Sequence, residues 1–312
     1  MSSESLYQKI SNQRFISICG KGGVGRSTLT AALAKEAARN GKKTLVAEFN
    51  TTGDLGEKLG HDKLGHKVTQ LEENLFGVNL LPSQCLKEYA LMILKSKLIY
   101  KVVFENNLVR YFLRFMPGLS ELVMLGKVYF HEKEKNSDGS PKYDIIFLDL
   151  PATGHGLSLF AVPDLISKSV PVGLMKNEAD SMVKLTTDTE RSAAIIVSIP
   201  EELVIEETFE LYKGLMNSKV PVKAILINQI SHFEKTDLLT AIKKGKNENI
   251  NTDYQEFIKF IEKLEEKCAV DKEEIKPLDE LPVDKFALKY FTGVPDSQKI
   301  YDEIEKIGSS SS

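Results

Sequence analysis

Cysteine is scarce in this 312-residue chain: Cys19, Cys85 and Cys268 lie far apart, with no C-x-x-C pair among them. Thiols so scattered build neither a disulfide framework nor a structural zinc site, and reduced, inert cysteines are expected. His131, His155 and His232 are equally isolated, which marks ordinary packing or surface positions rather than ligands. Charge of one sign is missing too. Lys and Arg number 41 against 44 Asp and Glu, a net charge of −3 with the two signs interleaved, so there is no electrostatic footprint for nucleic acid. No run of 18 apolar residues exists to span a bilayer. The N-terminal MSSESLYQKISNQ has no charged-then-apolar leader pattern, and a cytoplasmic protein without stable membrane insertion is expected.

What the chain does have is a 42% hydrophobic content, ample for the core of one large α/β domain or two small ones. The richest stretch is FISICGKGGVGRSTLT, Phe15 to Thr30. Phe15, Ile16, Ile18 and Cys19 read as a buried strand, glycines follow at once, and from Ser27 the pattern turns helical. Gly20, Gly22, Gly23 and Gly25 remove side chains that would keep an anion off the backbone, so N–H groups and a helix N-terminus can point at it. A phosphorylated ligand is expected here.

Two patterns fit the loop. As a mononucleotide loop, G-x-x-x-x-G-K-[ST] runs from Gly20 to Ser27, with Arg26 where the lysine belongs. As a dinucleotide fingerprint, Gly20, Gly22 and Gly25 satisfy G-x-G-x-x-G, and Glu48 stands near the end of the next apolar run, where a ribose-binding acid is expected. The second pattern would make the protein a nicotinamide-dependent oxidoreductase. Lys21 inside the turn and Ser27-Thr28 after it favour a triphosphate and its magnesium.

Beyond the loop, Ser27 to Asn40 reads as a helix with Leu29, Ala32, Leu33 and Ala37 inward, ended at Gly41. Lys43 to Phe49 is a second strand, NTTGDLGEKLG from Asn50 to Gly60 is a loop leading into a short helix, and Leu75 to Leu81 is another strand. From residue 84 to 134 the alternation stops, and Leu, Met, Ile, Phe and Tyr in excess of one amphipathic stripe predict a helical insertion broken near Asn106-Asn107 and Pro117-Gly118. It would be a packed subdomain or a groove for an apolar helical client. HEKEKNSDGSPK, 131 to 142, reads as a charged linker. YDIIFLDL, Tyr143 to Leu150, is the clearest buried strand, with Asp149 at the end where a parallel sheet places its chemistry. Strands at Ala193–Ile199 and Val222–Ile227, with a helix between them and another over Tyr254–Cys268, complete a doubly wound, mainly parallel α/β fold. Residues 1–308 would form one domain, and 309–312 a disordered tail.

The chain resembles the arsenite-pump and tail-anchored-protein-targeting ATPases, a deviant-Walker branch of the P-loop NTPases related to the Min and Par ATPases. The resemblance runs from about residue 14 to 305. It rests on KGGVGRST at Lys21–Thr28, DLPATGH at Asp149–His155, MPGLSELVMLGKVY at Met116–Tyr129, TDTERSAAIIVSIPEELVIEET at Thr187–Thr208 and LINQ at Leu226–Gln229.

That resemblance implies ATP and Mg²⁺ as ligands. Gly22, Gly23, Val24, Gly25 and Arg26 would wrap the phosphates. Ser27 would ligate the metal with Asp149 behind it, Thr28 would meet the α-phosphate, and Asn228 would read adenine. Lys21 would reach across a homodimer, or a heterodimer with a related ATPase, to the partner's nucleotide, and Asn50–Leu55 and Pro151–His155 would be switches. Two departures stand out. Arg26 replaces the bridging lysine with a planar fork, and Asn50 replaces a water-activating aspartate with an amide that accepts no proton near neutral pH. The implied activity is a slow ATPase switch, and the alternative is a pseudo-ATPase that regulates an intact partner. Neither arsenite-capturing thiols nor a C-x-x-C dimer clamp is present.

Overall fold

In the computed structural model, which describes residues 5–94, 118–232, 252–291 and 297–307, the glycine loop emerges from the middle of one sheet. Its strands are β1 (Phe15–Gly20), β2 (Thr44–Phe49), β3 (Thr69–Glu72), β4 (Leu75–Leu80), β5 (Ile145–Asp149), β6 (Ser192–Ser198), β7 (Val222–Ile230), β8 (Asp284–Lys289) and β9 (Ile304–Ile307). Among the described residues they form nine strands in the order β3-β4-β2-β5-β1-β6-β7-β8-β9. Every pair from β4 to β8 is parallel, and only the edge strands β3 and β9 are antiparallel. β1, β2, β5 and β6 are buried along their whole length, as near-continuous apolar strands covered on both faces should be.

Side chains alternate between two cores. Phe15 and Cys19 of β1 enter one, and Ile16 and Ile18 enter the other, the period-2 consequence of a pleated strand. The second core is closed by α1 (Leu6–Ile10), α2 (Arg26–Arg39), α3 (Asp54–Lys58) and α10 (Ser297–Asp302). The first is closed by α4 (Pro82–Leu94), α5 (Leu119–Lys133), α6 (Thr153–Ser169), α7 (Leu174–Thr186) and α8 (Glu202–Asn217). A long helix, α9 (Thr252–Ile275), runs into a 3₁₀ turn (Lys276–Glu280) ahead of β8. α2 buries Leu29, Ala32, Leu33 and Ala37 as its periodicity predicts. No helix among the described residues is long and apolar enough to cross a membrane.

Several expectations are corrected. β7 continues past Ile227 to Ile230, so Asn228 lies within the strand rather than just after it. β3, β8 and β9 carry no long apolar run, being TQLE, DKFALK and IEKI, and the sequence reading missed all three. The charged linker at 131–142 is not solvated throughout. His131 and Glu132 belong to α5 and are buried, because Glu132 is paired by Arg14, which precedes β1, and by Arg191, which precedes β6. That ion triad ties α5 to the N-terminal ends of two central strands. The predicted break at Asn106-Asn107 and the tail at 309–312 lie outside the described residues.

Phe147, fully buried in β5, fixes the second core at the sheet's centre. Phe147→Ala is expected to destabilise the protein by about 3–5 kcal/mol, read as a lower denaturation midpoint in urea with an unchanged slope.

Candidate functional site

The site is assembled at the C-terminal ends of β1, β5, β2 and β7. β1 stops at Gly20, where a Cβ would lie 2.5 Å from the Val197 carbonyl oxygen, so only glycine lets the chain leave the sheet beside β6. The loop then pins itself with Val24, 1% exposed in the core. Gly25 caps α2 in the left-handed region, φ 96°, without a side-chain cap. The first N–H groups of α2 therefore have no acceptor of their own and face outward, an anion site by construction.

Asn228 braces this loop from β7. Its Nδ2 donates to the Val24 carbonyl at 2.8 Å, and its Oδ1 accepts from the Gln229 N–H at 2.8 Å. A Cβ on Gly25 would sit 2.3 Å from that amide nitrogen. The loop is thus preformed by a contact across 204 residues.

Beneath the loop lie two carboxylates. Asp149 and Glu48 are paired in register on adjacent parallel strands, so both side chains project from the same face. They are 5% and 1% exposed. Each leaves one buried oxygen, Asp149 Oδ1 and Glu48 Oε1, without a hydrogen-bond partner. Burial pushes the Asp149 carboxyl above the ordinary carboxylate range, while the Ser27 side chain bonded to it and the charges of Arg26 and Lys58 pull it back. Burial likewise raises Glu48, opposed by bonds from the Thr51 side chain and from the Leu55 N–H, 3.3 Å from Oε2. Glu48 is the acid on which the dinucleotide pattern depends, and it is committed inward to α3.

Arg26 does not extend freely into the cleft. Its Nη1 donates to the Leu150 carbonyl oxygen, and burial lowers its basicity against the favourable charge of Asp149. Lys21 turns toward its own chain, 2.7 Å from Glu207 Oε1 on α8. Asn50, exposed after β2, holds a left-handed φ of 52°, and its N–H is fixed to the Leu80 carbonyl.

A cleft of about 550 Å³ gathers Gly23, Gly25, Arg26, Ser27, Thr28 and Asn228 of the predicted residues. Lys21, Gly22, Val24, Asn50 and Asp149 do not line it, Val24 and Asp149 because they are buried below its floor. Eight lining residues were missed, Lys58, Tyr290 and Phe291 among them. Lys58 comes from a short polar helix with no motif, and Tyr290 and Phe291 follow β8, a strand that left no sequence signal. No group of three or more His, Cys, Asp or Glu able to hold a metal exists among the described residues. One orphaned carboxylate oxygen beside a serine hydroxyl nevertheless suits magnesium, which keeps much of its water and takes its remaining ligands from substrate phosphate. Cys19 and Cys85 are buried, their thiols pushed up to about 12, which makes them inert.

The family model described as Anion-transporting ATPase matches residues 13–186 and 172–284. ATPase BagA of Mycobacterium tuberculosis is 26% identical over 240 residues, 75% of this chain and 70% of that protein. ATPase ASNA1 homolog 1 of Paramecium tetraurelia is 24% identical over 266 residues, 72% of this chain and 78% of its own. ATPase GET3 of Kluyveromyces lactis is 24% identical over 261 residues, 72% and 74% of the two chains.

The geometry generates two expectations. Gly25→Ala should destabilise by about 1–3 kcal/mol from backbone strain and the clash with Asn228, and by less in an Asn228→Ala background, a coupling measured by a double-mutant cycle on thermal melts. The raised Glu48 and Asp149 carboxyls keep protons in the folded state that the unfolded chain releases. Their contribution to stability is therefore complete below about pH 4 and is lost as pH rises through the raised values. Glu48→Gln should accordingly raise the melting temperature by a few degrees at pH 7, with the gain vanishing near pH 4 in a pH series.

Proposed function

The chain belongs to the anion-transporting ATPase family, and from that premise we propose that it is a dimeric, magnesium-dependent ATP switch with slow turnover that couples nucleotide state to a client or partner. The observation that carries this reading is the unpartnered, buried oxygen of Asp149 at the end of a central strand, beside Ser27 and under a preformed anion loop. Ser27, Arg26 and Lys58 act on Asp149, yet one buried oxygen keeps no partner; such a group is costly to leave unmet, and a hydrated magnesium held by Ser27 and backed by Asp149 would meet it.

In this reading the backbone of Gly22, Gly23, Val24 and Gly25 and the N-terminus of α2 bind the β- and γ-phosphates, and Thr28 meets the α-phosphate. Magnesium, when bound, would neutralise charge on the phosphate oxygens. Asn228 retains one amide hydrogen and one oxygen lone pair beyond its bracing bonds, which leaves it able to contact the base while holding the loop. Lys21 must exchange Glu207 for phosphate to act across a dimer. Because both side chains are about one-third exposed, at 35% and 34%, that exchange sacrifices only about 0–1 kcal/mol.

The client would be held near α4 and α5. A cleft of about 390 Å³ there is lined by Cys85, Tyr89, Met92, Val123, Phe130 and Met182 among others, with Met92 and Phe130 both about half exposed. The opposite face of α5, with Leu125 and Val128, is packed into the core. Among the described residues of the insertion, Leu125 and Val128 serve as packing, and Met92 and Phe130 are apolar side chains turned outward that a client could meet.

A second reading, a nucleotide-binding pseudo-ATPase, is favoured by two observations. Arg26 spends a guanidinium nitrogen on Leu150, and the loop after β2 presents the amide of Asn50 where a proton acceptor would be useful.

Binding and single-turnover hydrolysis of Mg-ATP should separate the two, with oligomeric state followed by light scattering. The switch reading expects ATP-dependent dimerisation and slow phosphate release that Ser27→Ala abolishes. Binding with no release by the wild type, and release gained in Arg26→Lys, would establish the second reading instead. Absence of ATP and ADP binding would overturn both.

A further inference from the structure

The phosphate cleft has a cation that the loop motif does not account for. Lys58, the last residue of α3, lines the same cleft as Gly25, Arg26, Ser27 and Thr28, and its charge acts on Asp149. It forms no ion pair among the described residues. Its neighbours behave otherwise: Lys63 faces Asp54 at 3.3 Å and Glu57 at 3.8 Å, and Lys35 faces Glu72 at 3.0 Å. Lys58 is exposed, its charge acts also on Asp54 four residues earlier, and an ammonium that lines an anion site with no ion pair of its own is available to phosphate.

The helix that carries it is held firmly. Leu55 and Leu59 are buried at 1% and 0% exposure, the Leu55 N–H is tied to Glu48, and Gly56 packs so closely that a Cβ would meet the Asp62 carbonyl oxygen at 2.1 Å. Lys58 is therefore presented from a fixed base, with only its own side chain left to adjust.

Sheet order, taken with the proposed contact of Asn228 to the base, sets which end of the nucleotide it meets. α3 follows β2, which lies on the β5 side of β1, whereas Asn228, Tyr290 and Phe291 belong to β7 and the end of β8 on the other side. With the base toward β7 and β8, the phosphate chain ends toward Asp149 and Lys58. Position 26, where the loop pattern expects a compact ammonium, holds a guanidinium partly committed to Leu150.

Building on the nucleotide reading above, we propose that Lys58 binds the terminal phosphate of ATP, contributing from α3 the compact ammonium that position 26 lacks and so distinguishing triphosphate from diphosphate. Because α3 directly follows the loop carrying Asn50, the same contact ties the presence of the terminal phosphate to that loop.

The test is calorimetric titration of the full chain with Mg²⁺ plus a non-hydrolysable ATP analogue and, separately, with Mg-ADP. The proteins are the wild type, Lys58→Ala, Lys58→Gln, Lys58→Arg and the control Lys63→Ala, with apo melting curves confirming folding. Loss of one charge-assisted contact predicts about tenfold weaker binding of the triphosphate to Lys58→Ala and Lys58→Gln, with ADP changed by less than about twofold. Lys58→Arg, which keeps the charge but not the compact ammonium, should recover only part of the loss, and Lys63→Ala should match the wild type for both ligands. A triphosphate-to-diphosphate preference unchanged in Lys58→Ala and Lys58→Gln would overturn the role of Lys58 while leaving the nucleotide site intact. A wild type that binds neither nucleotide would overturn the site reading and this inference with it.

Discussion

A carboxylate with one buried oxygen left unsatisfied is the constraint around which the rest of this protein is arranged. Asp149 is held at the end of β5 between β1 and β2, the most thoroughly buried part of the sheet, where water cannot reach its free oxygen. Leaving such a group unpaired is costly, and Glu48 alongside it adds a second orphaned oxygen of the same charge. Ser27, Arg26 and Lys58 act on Asp149, and Thr51 and the Leu55 N–H bond Glu48, yet burial still holds both carboxyls above their ordinary range. A cationic ligand system is the natural remedy, and the family to which the chain belongs consists of ATPases.

The loop over this pair is braced by the protein's own contacts. Val24 is anchored in the core, Gly25 is left-handed, and Asn228 ties Val24 from another strand. Rearranging a loop costs ordering entropy at the moment of binding, and a loop already braced avoids that cost. What remains adjustable is the set of charged side chains around it. Lys21 rests on Glu207 in an exposed, weak ion pair, Arg26 on a carbonyl, and Lys58 acts on Asp149 and Asp54 with no ion pair among the described residues. Backbone geometry fixes where phosphate sits, and side-chain exchange sets the response to it.

How far the sequence revealed this follows from what each feature needs to be visible. β1 and β5 are continuous apolar runs ending in a glycine loop and an aspartate, and such strands announce themselves because both faces are buried. β3 is exposed on its edge, and β8 alternates Asp, Lys, Phe, Ala, Leu and Lys, so neither stands out from surface sequence, and Tyr290 and Phe291 were lost along with β8. Asn228 could be placed at the site by resemblance, but its bracing of Val24 depends on a contact across the sheet that no local pattern encodes. The buried Glu132 in a stretch that reads as a charged linker is the same failure in reverse. Its two arginine partners lie 118 and 59 residues away, and only their convergence makes the burial tolerable.

Lys58 resolves an apparent defect in the motif. A guanidinium at position 26 is larger and more directional than an ammonium, and here it reaches past the cleft to the end of β5. That placement helps to balance Asp149 but removes part of the positive charge from the phosphate. A lysine from α3 restores the charge from the opposite wall, on an element that is separate from the loop and follows the Asn50 turn. Splitting the two duties means that phosphate binding no longer depends on the loop alone. It depends on α3 holding its position, which buried Leu55 and Leu59 and the bond from the Leu55 N–H to Glu48 secure.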